Sequence, residues 1–197
     1  MEMKHFGWSV AVCSLWLAVA TMAEDIPSYR VVELMAASSP SDSRSKEWKP
    51  GDGITMEVSG MAWMGETLAV AIRKGEVWMI DKVLSEDRET ISYRLFASGL
   101  HEPLGLTVDG KDLLVSQRAE ITRLQDNDGD GVADAYLTEC DGWNVSGNYH
   151  AYAYGPERDG NGDLWVSLNL GMGPLSDNSI GWRGWGGIIG DDGKFVP

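Results

Sequence analysis

The chain runs Leu104-Gly105-Leu106-Thr107-Val108, then Asp112-Leu113-Leu114-Val115-Ser116, then Ala119-Glu120-Ile121-Thr122-Arg123-Leu124. Each run is short and rich in aliphatic or β-branched residues, and glycine or aspartate separates one run from the next. This pattern is typical of antiparallel strands joined by tight turns. No long segment shows the periodicity of a helix. The sequence therefore predicts an all-β protein.

The same succession of runs occurs three times along the chain. Leu68, Leu113 and Leu164 occupy equivalent points, with spacings of 45 and then 51 residues. A period of roughly 40–50 residues, with several strands in each unit, indicates the blades of a β-propeller. A β-sandwich is the alternative that turn spacing alone leaves open. We expect residues 55–197 to form about three blades of a partial propeller, since closed propellers have typically four to eight.

The first 23 residues have the features of a signal peptide. Residues 6–20 are mostly apolar, and Thr21-Met22-Ala23 offers the small residues that a signal peptidase prefers. The apolar run is short for a membrane span, and a retained anchor is the alternative. We therefore predict a secreted or periplasmic protein without a membrane attachment after cleavage. Residues 24–54 are predicted to be an N-terminal segment and linker, because serine, proline, glycine and aspartate are frequent in its second half.

Charge and cysteine content narrow the possible partners. The chain has 30 acidic and 16 basic residues and a net charge of −14. This balance argues against nucleic acid or an anionic membrane as the binding partner. After signal cleavage only Cys140 remains, so no intramolecular disulfide is expected. We predict that Cys140 is a small buried hydrophobic residue and not a nucleophile.

One acidic loop has the pattern of a calcium site. It reads Asp126-Asn127-Asp128-Gly129-Asp130-Gly131-Val132-Ala133-Asp134, with carboxylates at alternate positions and glycines for the turn. The expected ligands are the side chains of Asp126, Asp128, Asp130 and Asp134 and the carbonyl of Val132. An EF-hand would place a glutamate where Leu137 stands, so the loop is an abbreviated one. The alternative is a solvated acidic hairpin turn, but four carboxylates this close repel one another without a cation.

His150 is the histidine in the most suggestive setting. It lies in Ser146-Gly147-Asn148-Tyr149-His150-Ala151-Tyr152, just before a predicted first strand of a blade. A neutral imidazole there can accept the proton of a sugar hydroxyl, with Asn148 and Tyr149 orienting the ring. The alternative is a structural histidine bonded to the backbone. Four tryptophans are candidates for stacking on a sugar, although Trp165 is expected to pack between blades; they are Trp143, Trp165, Trp182 and Trp185.

Three segments resemble a group of secreted bacterial propellers in the glucose/sorbosone dehydrogenase-like superfamily. They are Gly99-Leu100-His101-Glu102-Pro103-Leu104-Gly105-Leu106, Gln117-Arg118-Ala119-Glu120-Ile121-Thr122-Arg123-Leu124-Gln125-Asp126, and Gly147-Asn148-Tyr149-His150 with Gly155-Pro156. The resemblance covers roughly residues 55–197. It implies a six-bladed propeller and, by its best-known members, a sugar dehydrogenase that uses pyrroloquinoline quinone and calcium. Many members carry a c-type haem module further along the chain.

The sequence also departs from those dehydrogenases. Their base histidine stands eight residues before the glycine of a Gly-Pro-Asp-Gly turn, whereas His150 stands five before Gly155. The resemblance places the quinone-binding arginine in a later blade, and this sequence contains no Cys-x-x-Cys-His haem motif. We predict the N-terminal part of a secreted, calcium-binding propeller that oxidises a sugar hydroxyl with His150 as the base. The alternative is a non-catalytic propeller that binds a glycan or a protein.

Overall fold

A computed structural model describes residues 57–173 and 181–197. The predicted signal peptide at 1–23 and the predicted linker at 24–54 lie outside these residues. Within the described ranges, no helix has the length and hydrophobicity that crossing a membrane requires.

The first blade is a four-stranded antiparallel sheet in which neighbours in sequence are neighbours in space. Its strands are β1 (Val58–Met64), β2 (Thr67–Ile72), β3 (Glu76–Asp81) and β4 (Ser92–Ser98). One turn of 3-10 helix, Arg88–Thr90, lies between β3 and β4 and is capped by the side chain of Asp87. It is the only helical element in the described part of the chain, as the sequence pattern predicts.

The second and third blades repeat this arrangement. The second contains β5 (Leu106–Asp109), β6 (Asp112–Ser116), β7 (Ile121–Gln125) and β8 (Ala135–Cys140). The third contains β9 (Ala153–Arg158), β10 (Leu164–Leu168), β11 (Gly186–Ile189) and β12 (Phe195–Val196). Three successive four-stranded antiparallel meanders are three blades of a β-propeller. The predicted all-β fold and the partial propeller are thus confirmed.

The first strands of the three blades approach one another through glycines. A Cβ atom added to Gly60 would lie 2.6 Å from the Cα of Gly105, and one added to Gly105 would lie 2.1 Å from the carbonyl oxygen of Gly155. Such distances leave no room for a side chain, so glycine is needed for the backbones to pass this closely. The three glycines recur at 45 and 50 residues. This second repeat signal was present in the sequence beside the leucine repeat.

Two hydrophobic clusters hold the blades together, and β6 contributes to both. Because successive side chains of a strand point to opposite faces, Leu113 and Val115 pack on the first blade, against residues such as Met79 and Phe96. Leu114 points the other way and packs with residues of the third blade such as Val166. The second blade is therefore buried on both faces, which explains why β6 has five buried residues in succession.

The far face of the third blade is more open. Trp165, in β10, is 45% exposed, and its indole N–H donates to Asp159 Oδ2 at 3.0 Å. It was expected to pack between blades, but it lies on a face that no described blade covers. Cys140, in contrast, is buried in the cluster between the second and third blades. Burial raises the pKa of its thiol, and the prediction of a buried cysteine is confirmed.

Candidate functional site

The two sites predicted from the sequence lie at opposite ends of the blades. His150 is in the connection from β8 to β9, whereas the acidic loop connects β7 to β8. Because β8 runs from one end of the blade to the other, its six residues separate the two connections by roughly 20 Å. We call the end that carries the β2–β3, β4–β5, β6–β7, β8–β9 and β10–β11 connections the His150 end. A cation in the acidic loop therefore cannot contact a ligand held at the His150 end.

A carboxylate bridges two arginines at the His150 end. Glu102, in the β4–β5 connection, accepts from Arg73 Nη2 at 3.0 Å and from Arg118 Nη1 at 2.5 Å. Burial alone would raise the pKa of Glu102, but hydrogen bonds from Arg118 and Arg73 outweigh it and lower that pKa. Glu102 also adopts a left-handed φ of 46°, which is uncommon for a residue with a side chain. The carboxylate is thus held ionised between the first and second blades.

Arg118 carries this network into the segment that contains His150. Its guanidinium donates to the carbonyl oxygens of Asn148 and Tyr149, the latter at 3.0 Å. The main-chain oxygen of Arg118 in turn accepts from the indole N–H of the buried Trp143 at 3.1 Å. Because the Arg118 side chain is only 8% exposed, these hydrogen bonds are largely shielded from water. Hydrogen bonds shielded in this way are stronger than exposed ones and fix the positions of their partners. Arg118 therefore fixes the backbone immediately before His150.

Two tyrosines complete the network. Arg73 Nη2 donates to the hydroxyl of Tyr149 and, at 3.3 Å, to the hydroxyl of Tyr152. The Arg73 guanidinium also lies 5.5 Å and 5.8 Å from the centres of these two rings, and the Arg118 guanidinium lies 5.0 Å from the Tyr152 ring. Each distance is within the range of a cation–π interaction. Side chains from the β2–β3, β4–β5, β6–β7 and β8–β9 connections thus converge on one cluster.

His150 lies at the exposed border of this cluster, three residues before β9. Its main-chain N–H donates to Asn148 Oδ1 at 3.0 Å, and its carbonyl oxygen accepts from Asn169 Nδ2 at 3.2 Å. Its ring meets the Tyr149 ring edge-to-face, with centroids 5.3 Å apart. The sequence placed His150 just before the first strand of a blade, and this is confirmed. Tyr149 contacts the imidazole, and Asn148 holds the main chain.

Arg183 fastens the β10–β11 connection to the same segment. It is 3% exposed, and its guanidinium donates to the carbonyl oxygens of Ala151, Tyr152 and Asn144 at 2.8–3.2 Å. Burial and then the charge of Arg118 lower the pKa of Arg183. No carboxylate pairs with it among residues 57–173 and 181–197. Its contacts are those of a structural clamp between two connections.

At the opposite end, three carboxylates of the acidic loop come together. One oxygen each from Asp126, Asp128 and Asp130 lies within 4.8 Å of the other two. Oxygens bound to one calcium ion at 2.3–2.6 Å are at most about 5 Å apart, so this spacing fits a calcium coordination sphere. Asp134, also predicted as a ligand, accepts the backbone N–H groups of Asn127 and Asp128 at 2.6 Å and 3.3 Å.

The remaining hydrogen bonds shape the loop from within. Asp126 accepts from the N–H groups of Gly129 and Gly131 at 2.7 Å and 2.9 Å. Val132, predicted to offer its carbonyl, donates its own N–H to Asp130 Oδ1 at 2.8 Å. These bonds fold the carboxylates inward with or without a cation. The residues present therefore fit calcium. The same hydrogen bonds are also those that stabilise an acidic turn.

The acidic loop also joins the second blade to the first. The N–H of Ala133 donates to the carbonyl oxygen of Phe96 in β4 at 2.8 Å. Arg94, also in β4, donates to the carbonyl oxygen of Gly131, and a Cβ atom on Gly131 would lie 2.3 Å from the Arg94 guanidinium. The conformation of this loop is thus tied to the contact between two blades.

Of the four candidate tryptophans, two are exposed at the His150 end. Trp182 and Trp185 lie in the β10–β11 connection, are 45% and 56% exposed, and meet edge-to-face with centroids 6.1 Å apart. Trp182 has a left-handed φ of 57°. Trp143 is buried instead, packs edge-to-face on Phe195 and is excluded as a stacking surface.

The sequence reasoning did not identify the residues that organise this end. Arg73, Glu102, Arg118 and Tyr152 were not predicted as site residues, because charged side chains in short connections look like ordinary solvated residues. Two of them, Glu102 and Arg118, lay inside the segments that carried the family resemblance. The location of Glu102 and Arg118 in those segments was the signal by which the sequence could have identified them as site residues.

No protein family profile matches the chain, and no curated relative matches it. Among solved structures, the chain is similar to a luciferin-regenerating enzyme, with 14% identity and a TM-score of 0.49. The match covers 72% of this chain and 45% of the other, so the chain spans less than half the length of that structure. The assignment as a partial propeller rests on the three sheets described above.

Proposed function

We propose that the chain contributes three blades to a secreted, calcium-binding β-propeller enzyme that oxidises a hydroxyl group of a sugar. The substrate binds at the His150 end, and His150 accepts the hydroxyl proton. The observation that supports this best is the Arg73–Glu102–Arg118 network, which draws all three blades together beside His150 and fixes the backbone that carries it.

The chemistry follows from the exposed imidazole. A neutral imidazole can accept the proton of a hydroxyl group. His150 is exposed, so a hydroxyl group can reach its ring. The contact with Tyr149 restricts the ring to a limited range of orientations. A sugar ring can stack on the exposed indoles of Trp182 or Trp185 in the neighbouring connection.

Calcium has a structural role in this proposal. The acidic loop lies at the far end of the second blade, and it bonds to β4 of the first blade. A cation that neutralises Asp126, Asp128 and Asp130 would stabilise the folded loop and with it the contact between the two blades.

Pyrroloquinoline quinone is a tricarboxylate and would serve as the hydride acceptor. A site for it needs several cations that are free to pair with carboxylates. Arg118 and Arg183 are buried and bonded to main-chain carbonyls, and Arg73 already pairs with Glu57 and Glu102. The described residues do not by themselves fit the quinone. We propose that residues outside these three blades hold the quinone. The full-length protein would also contain a c-type haem module.

Dye-linked oxidation of sugars tests the proposal. The full-length protein is reconstituted with pyrroloquinoline quinone and calcium and assayed with glucose, galactose and xylose. We expect turnover in the wild type and a loss of about 10²–10⁴-fold in His150→Ala, the usual cost of removing a general base. His101→Ala is the matched control, because His101 is exposed in the β4–β5 connection and its hydrogen bonds to Gln117 and Arg118 are made by its main chain, which the substitution keeps. Equal turnover of wild type and His150→Ala would show that His150 is structural.

A non-catalytic propeller that binds glycans is the second candidate. The exposed Trp182–Trp185 pair favours it, because indole faces at a blade end suit stacking on sugar rings. Tryptophan fluorescence distinguishes the two functions. Quenching by an oligosaccharide that Trp185→Ala abolishes, together with no quinone binding by the full-length protein, would reject oxidation and support a binding module.

A further inference from the structure

The hydroxyl of Tyr149 ends a short chain of hydrogen bonds. The Arg73 guanidinium donates to the Tyr152 hydroxyl at 3.3 Å and to the Tyr149 hydroxyl. Tyr149 is 57% exposed, whereas Tyr152 is partly buried between the two arginines. The oxygen of Tyr149 therefore receives a hydrogen bond from Arg73 while its ring faces solvent.

The hydroxyl group of Tyr149 can still donate its own hydrogen. A phenol oxygen that accepts a hydrogen bond keeps its own O–H group for another partner. Donation by a guanidinium withdraws electron density from the phenol, which makes its O–H a stronger donor. Tyr152 and then Arg73 lower the pKa of Tyr149, which reports the same polarisation. The arrangement prepares Tyr149 to donate outward.

We propose that Tyr149 donates its O–H to the sugar oxygen whose proton His150 accepts. This inference rests on the proposed function and gives the site a second catalytic residue. The two residues are consecutive, both are exposed, and their rings meet edge-to-face with centroids 5.3 Å apart, so the two side chains lie on the same surface. As the sugar O–H bond breaks, an N–H bond forms on His150 and negative charge develops on the oxygen. The hydride of the adjacent C–H bond would leave to the quinone that the proposed function places outside the described blades, and the electron pair of the O–H bond would form the carbonyl. The hydrogen bond from Tyr149 strengthens as that charge grows, which lowers the barrier.

The surroundings of Tyr149 set the pH dependence. The charged and titratable groups around it are Arg73, Tyr152, Glu102 and His150, and Arg118 bonds to its main-chain oxygen. Tyr152 and Arg73 favour the phenolate, and the charge of Glu102 opposes it. Donation requires the neutral phenol. Activity should therefore fall on the alkaline side, at a pH below the ordinary tyrosine value of 10.0.

Two tyrosine variants test the donor role. Tyr149→Phe removes the hydroxyl and keeps the ring against His150. We expect kcat to fall about 10²–10³-fold, the usual cost of losing one such donor, and the alkaline decline of the wild type to disappear. Tyr154→Phe is the matched control and should keep the wild-type kcat and pH profile, since Tyr154 lies on the open face of the third blade.

An ultraviolet titration of the tyrosines provides a readout that does not depend on turnover. The phenolate step with the lowest pKa should be missing from Tyr149→Phe, should persist in Tyr154→Phe and should move to higher pH in Tyr152→Phe. A wild type that oxidises sugar, with Tyr149→Phe unchanged in kcat and pH profile, would overturn the donor role alone. If the wild type oxidises none of the three sugars, the proposed function and the donor role both fail, while the titration still decides whether Tyr149 is polarised.

Discussion

The guanidinium of Arg73 donates to the hydroxyl of Tyr149, a residue 76 positions later in the chain. Arg73 follows the second strand of the first blade, and Tyr149 precedes the first strand of the third. The contact is possible because the first strands of the blades converge on Gly60, Gly105 and Gly155. The candidate site therefore depends on how closely these strands approach, and a change in that approach should affect both stability and site geometry.

Gly105→Ala should destabilise the fold. Its Cβ would lie 2.1 Å from the Gly155 carbonyl oxygen, and Gly105 has φ +150°. Because the obstacle is backbone of the neighbouring strand, relief requires the blades to separate. We expect a loss of about 3 kcal/mol in the free energy of unfolding, at the upper end of overpacking costs. Urea denaturation measures it, with Gly147→Ala as the control because nothing lies within 4 Å of its added Cβ. Equal midpoints for the two variants would contradict a close approach of the strands.

Calcium should raise the melting temperature of the protein. The ion would bind the folded loop, where the three carboxylate oxygens already lie within 4.8 Å of one another, in preference to the unfolded chain. At a concentration of 100 times Kd the gain is about 2.7 kcal/mol. Asp130→Ala should abolish the calcium-dependent increase, whereas Glu66→Ala, which removes an exposed charge from the β1–β2 turn, should keep it. A well-folded wild type with no thermal shift and no heat of binding would identify the loop as an acidic turn.

Trp143→Phe should destabilise the protein although it keeps an aromatic ring. The buried indole donates to the main-chain oxygen of Arg118 and packs on Phe195. Phenylalanine fills less volume and leaves that carbonyl without its donor. The expected loss is about 1–3 kcal/mol in the free energy of unfolding, measured by denaturant titration. Trp185→Phe is exposed and should change stability by less than about 0.5 kcal/mol. A similar small effect of both variants would mean that the Trp143 hydrogen bond contributes little.

The repeat of leucines at 68, 113 and 164 was enough to predict three blades, because each leucine is a buried residue in the second strand of its blade. The position of His150 before β9 also followed from strand pattern. The Arg73–Glu102–Arg118 network could not be predicted from the strand pattern, because its members contact one another only after the blades have packed. Trp165 shows the same limit: its strand was predicted correctly, but which side of the blade would be covered depends on the neighbouring blades.

Stability should fall in acid because two carboxylates titrate at lower pH when the protein is folded. Burial alone would raise the pKa of both carboxyls, but hydrogen bonds outweigh it. Hydrogen bonds to arginine lower the pKa of Glu102 below 4.5. Hydrogen bonds to Gln125 and to arginine lower the pKa of Asp112 below 3.8. A carboxyl group whose pKa is lower in the folded protein than in the unfolded chain contributes its full stabilisation at pH values above its unfolded pKa. That stabilisation is lost as the pH falls through the folded value. The free energy of unfolding should thus decline as the pH is lowered from about 5 towards 3.

Glu102→Gln should reveal the share of Glu102 in this acid sensitivity. At pH 7 the variant leaves Arg118 without its carboxylate, and we expect a loss of about 2 kcal/mol, less than for a fully buried pair because Glu102 is partly exposed. As the pH falls through the lowered pKa of Glu102, the wild type loses the same interaction by protonation, so the two stability curves should converge. Chemical denaturation at pH 7, 5, 4 and 3 follows this, with Glu66→Gln as the control for an unpaired exposed carboxylate. A constant difference between wild type and Glu102→Gln at every pH would show that the ionised carboxylate is not what holds Arg73 and Arg118 together.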